Sequence, residues 1–202
     1  LMNVHVPDYA RRNKYNPICE YFQKLPKWDG QDHIGILAAR FTDEHEPILY
    51  ADGTKRTVIH AFLRKWLIGA VQRLHDHRTQ NPVLVLAGKQ GIGKSSFTEW
   101  ICPLPQRFYR GTIDPDAYET DMYLTQNFVW EIDELSATTR KKDVNALKAT
   151  LTKGITQYRK KYSSYYIQKP VTASFIGTIN PDGMGFLRDL TGNRRYTNVE
   201  IE

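Results

Sequence analysis

"LVLAGKQGIGKSSF", residues 84–97, runs from four apolar residues into three glycines and then into Lys94-Ser95-Ser96. Gly88-Lys89-Gln90-Gly91-Ile92-Gly93-Lys94-Ser95 fits the spacing G-x-x-x-x-G-K-[ST]. Each part has a physical reason. Glycines let successive backbone N–H groups turn toward one phosphate. The helix that follows points the positive end of its dipole at the same place. Lys94 reaches the β- and γ-phosphates, and the Ser95 hydroxyl is a ligand for Mg²⁺. The alternative is an ordinary glycine-rich turn between strand and helix. The buried-looking strand before the loop and the helical stretch after it favour a site for ATP and Mg²⁺, formed by residues 88–96.

Outward from this loop the texture of the chain divides near residue 80. After it, short β-rich runs alternate with helical stretches. The runs cover residues 82–88, 107–113, 127–133, 172–180 and 195–201, with helices expected near 94–101, 114–125 and 141–152. Such alternation predicts an α/β fold, a mostly parallel sheet flanked by helices, and the loop motif makes the expected class a P-loop NTPase (ASCE/AAA+-like). Before it, residues 1–80 read as a small helical subdomain. Its longest helix lies within residues 55–77, where Ile59, Phe62, Leu63, Trp66, Leu67, Ala70, Val71 and Leu74 recur with helical period. The opposite face of that helix reads as basic. The expected division is therefore 1–80 and 81–202.

A phosphate site of this kind needs a carboxylate for the metal and a group that activates water. "NFVWEID", followed by Glu134, places Glu131, Asp133 and Glu134 at the end of an apolar strand. Either Asp133 or Glu131 takes the metal, and in both cases Glu134 is the base. The competing reading leaves all three as solvated charges. A second apolar strand ends in Thr178 and Asn180, and the Asn180 amide suits orientation of the lytic water. Asn180-Pro181-Asp182-Gly183 is also a competent turn.

Basic residues gather in two places. Arg188, Arg194 and Arg195 lie late in the chain. In a ring, an arginine of one subunit supplies charge to a neighbour's γ-phosphate; the other readings are nucleic-acid phosphate and open solvent. "QYRKKYSSYY", residues 157–166, interleaves Arg159, Lys160 and Lys161 with Tyr158, Tyr162, Tyr165 and Tyr166. Cations grip a nucleic-acid backbone and tyrosines stack on bases. The alternative is a solvated hairpin with tyrosines on its core side. His75-Asp76-His77, at the end of the long helix, suits a helix C-terminus better than a metal.

Bulk composition agrees with a globular protein. The chain has 202 residues, 41% apolar and 25% charged, enough to bury a core without disulfides. Lys and Arg exceed Asp and Glu by 28 to 22, a net charge of +6 that favours a polyanionic partner. Cys19 and Cys102 stand alone, which points to a reducing cytoplasm. No apolar run approaches the roughly 20 residues of a bilayer span. The leucine at position 1 suggests a piece of a longer protein.

With these residues assembled, the chain resembles the virulence-associated E family. These are P-loop proteins of phages and mobile genetic islands, related to superfamily 3 replicative helicases. Seven segments match in order: "YNPICEYFQKLPKWDG", "KWLIGAVQRL", the phosphate loop, "FVWEIDEL", "LKATLTKGITQYRKKY", "FIGTIN" and "TGNRRYTNV". The resemblance puts Glu131 and Glu134 at the family's acidic positions, Arg159 and Tyr162 at its Arg and Tyr, Asn180 at the sensor and Arg194-Arg195 at the finger. Asp133 is an acid that the pattern does not require. The resemblance implies an ATP-dependent DNA helicase, oligomeric, working on single-stranded or forked DNA, with a primase region elsewhere in the full-length chain. The rival reading is a nucleotide-gated DNA-binding or assembly module that does not unwind.

Overall fold

The computed structural model describes residues 15–42, 45–114, 117–132, 135, 147–159, 161–162, 164–180 and 195–201. These fall into two compact units, Leu1–Gln31 and Asp32–Glu202.

In the first unit, helix α1 (Pro17–Gln23) has its start fixed by local sequence. The Asn16 side chain accepts the N–H groups of Ile18 at 3.0 Å and Cys19 at 3.3 Å, and Pro17 occupies the first turn. A Glu20–Lys24 ion pair one turn apart lies on its surface. The turn that follows is closed by Trp28 Nε1 donating to the Gln31 carbonyl at 2.8 Å.

The second unit opens with helix α2 (His33–Ala38), capped by Asp32, and a two-rung hairpin of β1 (Ile48–Leu49) and β2 (Lys55–Arg56). Helix α3 (Val58–His75) is the long helix of the periodic pattern, capped by Thr57. Its stripe Ile59, Leu63, Trp66 and Ala70 is buried, at 1% exposure or less. One residue departs from the expected basic outer face. Arg73 continues the buried stripe at 1% exposure, and its guanidinium donates to the carbonyls of Lys153 and Val171. Burial lowers its pKa to about 10. The stripe packs on the sheet rather than on a separate helical layer: Trp66 Nε1 donates to the Phe175 carbonyl at 2.8 Å. Where the sequence changes texture near residue 80, the compact unit runs on without a break, so α3 belongs with the sheet.

The five β-rich runs become one parallel sheet in the order β4 (Phe108–Arg110), β5 (Val129–Ile132), β8 (Ser174–Ile179), β3 (Val83–Ala87), β9 (Tyr196–Glu200). Every residue of β3, β5 and β8 is buried, because helices cover both faces. On one face Trp130, Phe175, Val85 and Ala87 pack with Leu124 of helix α5 (Tyr118–Gln126) and with Leu147 and Leu151. Tyr109 stacks on Tyr123 at 4.3 Å and meets Trp130 edge-on at 4.9 Å, which fills the end of that layer. Helix α4 (Lys94–Trp100) follows β3 directly. A separate antiparallel hairpin, β6 (Ile155–Arg159) and β7 (Tyr166–Pro170), leads straight into β8. Among the described residues no helix is long and apolar enough to cross a membrane.

Candidate functional site

The glycine loop occupies the carboxyl edge of the sheet, between β3 and α4, where open α/β sheets place ligands. Neighbouring strands clamp its first residue. The Gly88 N–H donates to the Ile179 carbonyl at 3.2 Å, and Ile201 N donates back to Ala87 at 2.8 Å. A Cβ on Gly88 would stand 2.4 Å from the Ile201 carbonyl oxygen, so only glycine fits. Gly93, the N-cap of α4, has φ 91°. That left-handed turn reverses the backbone so that the helix can begin at Lys94. Lys89, Gln90, Gly91, Ile92, Ser95 and Ser96 all remain exposed.

Lys94 is the exception, at 8% exposure. Its ammonium folds back into the loop and donates to the carbonyls of Gly88 at 2.6 Å and Lys89 at 2.7 Å, and to Asn180 Oδ1 at 3.4 Å. Among the described residues its partners are neutral oxygens, with no carboxylate. Desolvation pushes its pKa below the ordinary lysine value. An ammonium held only by neutral oxygens is matched by an incoming anion, which favours the charged form.

Asn180 reaches this point because β8 lies beside β3, with Ile179 level with Ala87. The predicted strand-end amide is therefore at the glycine loop. Glu131 comes from the next strand out, buried at 0% exposure. Its Oε2 accepts from Arg110 Nε at 2.7 Å and lies 2.7 Å from the Thr98 hydroxyl, while Thr178 Oγ1 lies 3.4 Å from Oε1. Asp133 and Glu134 lie outside the described residues.

Arg110 was not marked by the sequence. It ends β4 level with Glu131, so both side chains leave the sheet on the same face. Besides Glu131 it donates through Nη2 to the Ser95 carbonyl at 2.8 Å, and the same nitrogen lies 3.6 Å from Glu99. Thr98 Oγ1 is also 2.8 Å from the Ser95 carbonyl. An arginine within a strand run was the available signal, but its meaning depends on which strand lies alongside.

The late arginines and the hairpin lie elsewhere. Arg195 immediately precedes β9, at the amino edge, where it lines a pocket with Gln80, Pro82, Leu151 and Thr152. A five-residue strand spans roughly 16 Å, so Arg195 does not join the loop of its own chain. Arg188 and Arg194 lie outside the described residues. In the hairpin, Arg159 and Lys161 are exposed, and Tyr162, Tyr165 and Tyr166 are exposed by 99%, 80% and 66%. Tyr158 instead faces the core, 3.4 Å from the Thr125 hydroxyl. Of the four tyrosines in this stretch, one is core and three are surface. Lys160 is outside the described residues. At the end of α3, Asp76 accepts the Arg78 N–H at 3.0 Å, so its carboxylate closes a turn.

The model of the virulence-associated protein E-like domain matches residues 22–202. None of the curated proteins matches the chain. Among solved structures, the apo structure of the NrS-1 C-terminal region (305-718) is 20% identical, with a TM-score of 0.53 over 71% of this chain and 34% of that one. An A form apo structure of the same region is 18% identical, with a TM-score of 0.50 over 71% and 32%. At these identities the likeness carries the fold. The chain spans about a third of the length of either structure.

Proposed function

The chain belongs to the virulence-associated protein E-like domain family, and on that footing we propose that it is the Mg²⁺-dependent ATPase core of a phage or mobile-element replication protein, working as an oligomeric DNA helicase. One observation carries the reading: a buried lysine ammonium, surrounded by neutral oxygens, inside a glycine loop between a central parallel strand and a helix N-terminus. That arrangement suits a polyphosphate tail.

In this reading the loop amides and Lys94 hold the β- and γ-phosphates. The exposed Ser95 hydroxyl and one acid of the β5 strand end hold Mg²⁺, which supplies positive charge to the phosphate oxygens. Glu134 activates the water, and Asn180, already at the loop, orients it. Arg194 or Arg195 acts on the adjacent subunit of a ring, a role that fits the placement of Arg195 away from its own loop. Arg159, Lys160, Lys161 and Tyr162 engage DNA from the hairpin. A primase region elsewhere in the full-length protein remains part of the proposal, as does work in the cytoplasm of the host cell.

The test is DNA-stimulated ATP hydrolysis by the full-length protein and by Lys94→Ala, together with displacement of a strand from a forked substrate. Loss of hydrolysis in Lys94→Ala and loss of displacement in Glu134→Gln are expected. Hydrolysis that survives Lys94→Ala unchanged removes the site. Nucleotide-dependent DNA affinity without displacement assigns the protein to the non-unwinding class.

A further inference from the structure

A charged network joins β4, β5 and α4 beside the glycine loop. Arg110 extends one guanidinium between two elements. Nε donates to Glu131 on β5 and Nη2 donates to the carbonyl of Ser95 in the first turn of α4. Thr98, one turn further along α4, contacts the same carboxylate and the same carbonyl. Glu131 is wholly buried, and each of its oxygens already has a hydroxyl or guanidinium partner. A buried carboxylate in that position is costly unless its charge is answered, and here Arg110 answers it.

Resting on the ATPase reading above, we propose that Arg110 is a positioning residue for the metal-binding serine, and that Glu131 is its counter-ion rather than a metal ligand. The fork geometry supports this. A guanidinium offers separate, rigidly spaced donors, so the carboxylate that fixes one edge also aims the other at Ser95. Holding the Ser95 carbonyl fixes the peptide of that residue, and with it the position from which the hydroxyl projects. The metal role at the strand end then falls to Asp133.

Four variants separate this from a merely structural ion pair: Arg110→Lys, Arg110→Met, Glu131→Gln and Arg110→Met/Glu131→Gln. The readout is the factor by which Mg²⁺ tightens ATP binding, measured by titrating a fluorescent ATP analogue with and without Mg²⁺, beside a thermal melt of each variant. Arg110→Lys keeps a cation for Glu131 but loses the second donor. It is expected to melt near the wild type while its Mg²⁺ factor falls about tenfold, the scale of one charge-assisted hydrogen bond. Glu131→Gln is expected to lower the factor only while Arg110 is present, so the double variant matches Arg110→Met. A wild-type Mg²⁺ factor in Arg110→Lys overturns the positioning role. A further drop when Glu131→Gln is added to Arg110→Met makes Glu131 a metal ligand and overturns the second half. Failure of the wild type itself to bind the analogue instead removes the ATPase reading, and this inference with it.

Discussion

Lys94 Nζ and Asn180 Oδ1 lie 3.4 Å apart, although 86 residues separate them along the chain. The contact exists because β8 runs parallel to β3 and ends level with it. It places a neutral amide beside the ammonium that the proposed mechanism sets on the γ-phosphate. Replacing Asn180 by alanine is expected to lower kcat for ATP hydrolysis about a hundredfold, the usual loss when one positioned polar group leaves a reacting centre. ATP affinity should stay within about threefold, since the loop amides and Lys94 remain. Steady-state hydrolysis beside equilibrium ATP binding tests this. A loss confined to ATP affinity, with kcat unchanged, would make Asn180 a binding group only.

Gly88 is expected to tolerate no side chain. Its Cβ would meet the tip of the Ile92 side chain, which can move, and the backbone carbonyl of Ile201, which cannot. Gly88→Ala must push β9 away from β3, which should cost about 2 kcal/mol, in the range of core overpacking. Urea denaturation followed by circular dichroism gives the number. A midpoint equal to the wild type would mean that the β9 edge is softer than the packing implies.

Arg195 and the loop of the same chain occupy opposite edges of the sheet, so their cooperation requires a second subunit. Arg195→Ala and Lys94→Ala proteins should each be inactive alone. In a ring with head-to-tail contacts, equal mixing makes about a quarter of the sites intact, because an unaltered loop then faces an unaltered arginine. Recovery of hydrolysis on mixing, read with a coupled ATPase assay, is the expected outcome. A mixture that stays inactive removes the finger role. Full activity of Arg195→Ala alone transfers it to Arg194.

Tyr162 has φ 64° and is 99% exposed, a left-handed backbone for a large side chain with no packing in return. Such a conformation costs a non-glycine residue about 1 kcal/mol. Tyr162→Gly should therefore leave stability unchanged or slightly raised. If the ring stacks on a base, the same substitution weakens single-stranded DNA binding about tenfold. Fluorescence anisotropy with a labelled oligonucleotide, compared with the thermal melt, separates the two effects. Unchanged DNA affinity would leave the tip of the hairpin as solvated surface.

Much of this protein is legible along the chain because short-range physics writes it there. The loop between β3 and α4 depends on glycines at fixed spacing. The helix start at Pro17 depends on Asn16, and the buried strands appear as unbroken apolar runs because both of their faces are covered. Strand adjacency is another matter. Asn180 was named from its place at a strand end, but its meeting with Lys94 required β8 to insert between β3 and β5. Arg73 shows the limit for helices. Periodicity put a cation on the outer face, whereas two backbone carbonyls from distant segments accept its donors and hold it inside. Arg110 shows the limit for sites. Nothing near it in sequence is acidic on the same strand, and only the register of β4 against β5 brings Glu131 level with it. Local pattern thus determined the elements and the glycine loop. The tertiary structure decided which charges meet, since pairing between strands far apart in sequence is selected by packing of the whole sheet.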